Sequence, residues 1–288
     1  MISNFHSVVV ELVDFEAGVA DYARLLGEAA GPIEVEQASG KRSVFFPLAK
    51  VRLETRPTAG VDSEQSRGLS RICFECDNID SIAAGFGADG TSLLPSERRQ
   101  VLREDADGGS QILRSWLSTA VDPVVSRAIG IELISDEDWS PTESAPASGD
   151  PRMGEGLDPA SLIRGLDHVV VMSSDIEATR DFYGAGLGLR LALDRSFEKR
   201  GVRLLFFRIG GMTIEIGGRL GASPNPTDKD RFGGLAWQVI DLDAIHSRLS
   251  ADGFELSEIR DGHKPGTRVC TVRDPVHEVP TLLIEPVS

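Results

Sequence analysis

Leu166-Asp167-His168-Val169-Val170-Val171 is the stretch on which the reading of this chain turns, because Phe5-His6-Ser7-Val8-Val9-Val10 near the N-terminus repeats its form. In each, a histidine stands beside a β-branched run, the mark of a strand. Glu54, in Leu53-Glu54-Thr55, comes 48 residues after His6, and Glu215, in Thr213-Ile214-Glu215-Ile216, comes 47 after His168. Each glutamate interrupts an apolar run, so it too reads as a strand residue aimed at one chosen face. An imidazole and a carboxylate delivered from two strands of one small module make half of a metal site. The sequence holds two such halves.

The chain's 288 residues suffice for two domains, each with its own core. A hydrophobic share of 41% and a charged share of 26% belong to a soluble globular protein. The net charge of −15 argues against nucleic acid and against an anionic membrane surface. No apolar run approaches the roughly 20 residues that span a bilayer. The start shows no basic region followed by an apolar stretch, so a cytoplasmic protein is expected. Three cysteines fit a reducing compartment. Cys73 and Cys76 form a C-x-x-C, but Arg71 to Cys76 reads as a strand, where residues three apart face opposite sides. Both are read as small apolar core residues.

From Ser135 to Asp158 the chain is rich in Ser, Pro, Gly, Ala, Asp and Glu and loses apolar periodicity. Such a segment cannot bury enough surface to offset its ordering entropy, and it reads as a linker. The expected boundaries are a domain at 1–118, a linker at 119–163 and a domain at 164–288. The second domain begins with a strand at His168 and a helix capped by Ser174-Asp175, running to Tyr183. A Gly-rich exit, Gly184 to Leu189, closes that helix. A dinucleotide-binding loop would instead open one, so nucleotide binding is set aside. Strands up to Glu215 follow, then a second round from Gly234. The first domain repeats the order, with a helix from Phe15 to Leu26. The fold class is α+β, built of tandem βαβββ modules.

Four such modules resemble the vicinal oxygen chelate superfamily, which includes glyoxalase I, methylmalonyl-CoA epimerase, extradiol dioxygenases and bleomycin-resistance proteins. The resemblance rests on Leu166 to Val171, Phe182-Tyr183, Leu187-Gly188-Leu189, Ala236-Trp237-Gln238-Val239 with Asp241-Leu242-Asp243, and Asp274-Pro275. It implies two glyoxalase-like domains of paired modules, the first degenerate, each curving into a cup with metal ligands on the first and last strands of a module. His6, Glu54, His168 and Glu215 match such positions and are the implied ligands, with Glu54 or Glu215 doubling as proton shuttle. Arg71 and Gly234 stand where the family often has His. Thr281 or Leu282 stands where it has a carboxylate, and module two ends near Gln111-Ile112 without an acid.

Modules one and three contributing to a single site would give two imidazoles and two carboxylates, suited to Zn, Ni, Co, Mn or Fe. The commoner pairing of neighbours leaves two partial sites. The expected function is a divalent-metal-dependent lyase or isomerase acting on a small oxygenated metabolite. The alternatives are an extradiol-type dioxygenase, with His263 completing its triad, and a metal-free small-molecule-binding protein of the bleomycin-resistance kind. A homodimer is left open.

Overall fold

A computed structural model describes residues 1–58, 67–86, 92–104, 110–138, 158–221 and 228–286. Module one runs β1 (Ile2–Leu12), α1 (Phe15–Leu26), β2 (Glu34–Glu36), β3 (Arg42–Pro47) and β4 (Arg52–Pro57). Helix α1 covers the expected span for local reasons. Asp14 caps its start by accepting from the Ala17 N–H, and Gly27, at φ 72°, closes its end. Its buried face, Phe15, Gly18, Tyr22, Leu25 and Leu26, recurs every three or four residues and packs on β1.

Module two runs β5 (Gly68–Cys76), α2 (Ile79–Ala83), β6 (Glu97–Glu104), β7 (Ser110–Ala120) and β8 (Ile131–Asp138). Here the structure departs from the expected boundary at 118. Ile131 to Asp138 is not linker but the strand that closes the first domain. It pairs in parallel with β5 and antiparallel with β7. Ile131 and Leu133 are buried on the helix side and Glu132 on the other, the alternation of a strand with two buried faces. Residues 139–157 of the expected linker lie outside the described residues.

Module three runs β9 (Ile163–Met172), α3 (Ile176–Asp181), β10 (Arg190–Phe197), β11 (Val202–Ile209) and β12 (Met212–Arg219). Helix α3 ends in one π-helical turn through Gly186, in place of a continuous helix to Tyr183. Module four runs β13 (Arg231–Val239), α4 (Leu242–Ala251), β14 (Arg260–Asp261), β15 (Thr267–Val276) and β16 (Val279–Pro286).

Neighbouring modules pair through their first strands, β1 with β5 and β9 with β13, both antiparallel. Modules one and two close into a barrel of order β1-β4-β3-β2-β6-β7-β8-β5. Modules three and four form an open eight-stranded sheet, β10-β11-β12-β9-β13-β16-β15-β14. The outer faces of both sheets carry the apolar core beneath the helices. Val8, Val10, Leu12, Val169, Val171 and Trp237 lie there fully buried, each contributing about 1.5–3 kcal/mol. Cys73 and Cys76 are buried and unbridged, as expected. No helix among the described residues is long and apolar enough to cross a membrane.

The domains are pinned together by polar contacts. Arg127 of the first reaches the buried Asp230 of the second at 3.3 Å, and Ser174 and Thr179 bond the same carboxylate. His277 lies 2.9 Å from Asp21, and Arg248 donates to the Leu25 carbonyl.

Candidate functional site

Each module's first strand carries a β-bulge that sets which residue enters the cup. In β9 the ladder passes from Leu166 to His168 and skips Asp167, and in β1 it passes from Phe5 to Ser7 and skips His6. In β13 it skips Gly233, and in β5 it skips Ser70. The residues following the bulges are therefore equivalent: Ser7, Arg71, His168 and Gly234. The last strands agree, because Glu54, Glu132, Glu215 and Leu282 sit opposite equivalent first-strand residues. The counterpart of His168 is thus Ser7, and His6 corresponds to Asp167. The one-residue difference between the two His-to-Glu spacings has this cause. Glu132, on the strand that sequence reading left in the linker, is the carboxylate module two seemed to lack.

Inside the first barrel, guanidinium groups stand among these carboxylates. Arg71 donates to Glu132 at 2.6 Å and Arg56 to Glu54 at 2.5 Å. Ser118 donates to the other Glu132 oxygen at 2.5 Å. Burial alone would raise the Glu132 pKa, but Arg71, Arg99 and Arg56 outweigh it and pull the group down to about 2. His6 bonds Glu137 at 3.1 Å and Ser7 at 2.9 Å, and Arg52 contacts the same imidazole nitrogen as Glu137. Arg52 and Arg114 also grip Glu137, at 2.6 and 3.0 Å. Burial lowers the His6 pKa, with Arg52 and Arg114 adding to the effect, so the ring stays neutral. His6 and Glu54 are held by different partners, and the cations beside them are arginines. This donor set does not fit a metal ion.

The second sheet offers half a site. His168 and Glu215 come together on β9 and β12, with Nε2 3.7 Å from Oε2. The bulge residue Asp167 sits 2.8 Å from His168 Nδ1. The His168 bond holds the Asp167 carboxyl below its usual range, and Lys264 and Arg208 lower it further. Arg208 pairs with Thr213 and Thr213 with His168, so all three share the cup face. On the facing wall Ala236 adjoins His168 and Leu282 lies beyond it, so neither of these positions supplies a ligand. Gly234 has φ 135°, and a Cβ there would meet the Pro280 carbonyl oxygen at 2.3 Å. Two donors fall short of the three protein ligands that a catalytic divalent metal usually keeps. Among the described residues no group of three His, Cys, Asp or Glu is placed to hold a metal ion.

The expected four-ligand set is therefore not brought to one place, since His6 and Glu54 lie in the barrel and His168 and Glu215 in the open sheet. The physical reason is the pairing of first strands between neighbours. The loop histidine His263 bonds Arg200 at the surface, at 2.7 Å, and His277 serves the domain interface. Arg71 faces the first cup, at the position where the resemblance puts a ligand. Asp167 stood in the quoted motif unweighed, because its role depends on a bulge that no composition rule reveals.

Residues 165–278 match the Glyoxalase/Bleomycin resistance protein/Dioxygenase superfamily. That match takes in most of the second domain, from β9 to the turn before β16. Among solved structures, a mutant 4-hydroxymandelate synthase from Streptomyces coelicolor is 17% identical, with 99% of this chain and 92% of that chain covered and a TM-score of 0.61. A halotolerant catechol dioxygenase is 14% identical, over 99% and 87%, with a TM-score of 0.60. An Mn(II)-bound glyoxalase from Novosphingobium aromaticivorans is 16% identical, over 100% and 83%, with a TM-score of 0.59. These likenesses show the fold across both domains. A comparison with curated proteins gave no match.

Proposed function

We propose that the C-terminal cup takes a small oxygenated metabolite with an anionic group and acts on it as a lyase or isomerase, by moving a proton through His168. The observation that carries this reading is the line Asp167–His168–Glu215 across the cup face. Asp167 accepts from Nδ1–H, which leaves Nε2 unprotonated and turned towards Glu215. A base so oriented can take a proton next to a substrate carbonyl, and Glu215 can carry it onward. Arg208 and Lys264, the cations nearest Asp167, suit a substrate carboxylate or a developing enolate oxygen. Incubating the protein with small 2-oxo acids in D2O and following their C–H signals by NMR tests this. Exchange that His168→Ala abolishes is the expected result. No exchange with any acid, or equal exchange by the variant, sinks the proposal.

A second reading keeps a divalent cation on His168 and Glu215. The favouring observation is Asp167 on Nδ1, since metal-bound histidines commonly donate their other N–H to a carboxylate. Metal content of the purified protein, beside that of His168→Ala, decides between the two. Near-stoichiometric metal lost in the variant selects the second reading, and no metal in either protein after reconstitution selects the first.

A further inference from the structure

The two sheets differ in how their ends meet. In the first domain β2 and β6, each the strand that follows its module's helix, pair through Val35–Leu102 and Glu36–Val101 and close the barrel. Among the described residues their counterparts in the second domain, β10 and β14, stay unpaired with each other at opposite ends of the open sheet. Strand β10 is exposed from Arg190 to Ser196, and β14 is only two residues long.

A loop joins these ends instead. Residues 262–266, between β14 and β15 of module four, reach module three at two points. His263 Nε2 lies 2.7 Å from a guanidinium nitrogen of Arg200, in the turn between β10 and β11. The adjoining Lys264 stands close enough to Asp167 for its charge to be felt by that carboxyl. Internal bonds hold the loop in shape, so it moves as a unit. The Gly262 N–H donates to the Thr267 carbonyl at 2.8 Å, and the Thr267 hydroxyl to the Lys264 carbonyl at 2.6 Å.

With the loop in this position only 13% of the His168 side chain is exposed. The part of a fold that opens most readily is the one held by the fewest contacts. A bond between two exposed polar side chains is weak, whereas the first barrel is closed by backbone pairing. We infer that residues 262–266 form a strap over the C-terminal cup, which swings aside to admit substrate when the Arg200–His263 contact breaks. The inference rests on the reading of this cup as the place where substrate binds, and it gives that site a gate.

The test follows carbethoxylation of His168 by diethyl pyrocarbonate on the full chain, read peptide by peptide with mass spectrometry. The reagent needs no turnover, so its result stands apart from the proton transfer proposed above. Arg200→Ala should speed His168 modification by about fivefold, the factor that corresponds to a surface contact of about 1 kcal/mol. His277, at the domain interface, should keep the parent rate. The native cysteines are buried, so a short bismaleimide can join Arg200→Cys to His263→Cys in one protein. The joined protein should lose His168 modification, and the same protein unjoined should react at least as fast as the parent. Both positions are exposed, so neither substitution touches the core. Equal His168 rates in the parent, Arg200→Ala and joined proteins overturn the proposal. An Arg200→Ala effect shared by His277 overturns it too, because it would mark a general loosening.

Discussion

Replacing Glu132 by glutamine removes the carboxylate on which the first barrel's ion pairs converge. Glu132 is 1% exposed and held by Arg71 at 2.6 Å, Ser118 at 2.5 Å and Arg99 at 3.6 Å. Its pKa, drawn from 4.5 to about 2 against the opposing effect of burial, measures how far these partners favour the ionised form. At about 1.4 kcal/mol per unit the shift is worth roughly 3 kcal/mol. That agrees with the roughly 3–5 kcal/mol lost when one partner of a buried pair is removed. A folded-state pKa below the unfolded one stabilises above the unfolded value, and the benefit disappears as pH falls through the folded value. The gap between parent and Glu132→Gln should therefore be about 3 kcal/mol at pH 7, hold to about pH 5, and close between about 4.5 and 2. Urea unfolding at steps down to pH 3 measures it. A variant within 1 kcal/mol of the parent at neutral pH, or a gap unchanged at pH 3, would refute the reasoning.

Two further outcomes follow from particular contacts. Arg127→Ala leaves Asp230, 4% exposed, with only hydroxyl and backbone partners. It should cost about 2–3 kcal/mol and split thermal unfolding into two transitions, which calorimetry resolves; a single transition at the parent's midpoint would contradict this. Gly234→His, the direct attempt to install a second imidazole, should lower stability by several kcal/mol, on the order of the largest single-site effects, and gain no metal. Stoichiometric zinc in that variant would show the glycine backbone to be more tolerant than its geometry allows.

Much of the fold was legible because it is written in local signals. Asp14 and Gly27 bracket α1, and the alternation around His168 and Glu215 marks β9 and β12. The meeting of His168 and Glu215 was legible too, since they belong to adjacent strands of one module. The place of His6 was not. His6 looks like the partner of His168 only when the two motifs are aligned without their bulges, and a one-residue slip exchanges the faces of a strand. The Arg–Glu interior was hidden for another reason. Arg52, Arg56, Arg71, Arg99 and Arg114 are scattered over strands β4 to β7, and only closure of the barrel brings their charges together. Glu132 was missed because module two was ended near Gln111-Ile112, which left the apolar run Ile129 to Ile134 between the domains although it could form a short strand.

The backbone at Gly234 gives this domain a direction in evolutionary time. With a left-handed φ and the Pro280 carbonyl oxygen 2.3 Å from where a Cβ would stand, the position admits no side chain until β16 withdraws. Acquiring a ligand there would need the strand to shift before the new residue arrived, two coupled events of which the first alone brings no benefit. The position therefore works as a ratchet: descendants of this chain can elaborate the wall that bears His168 far more readily than they can rebuild the opposite one.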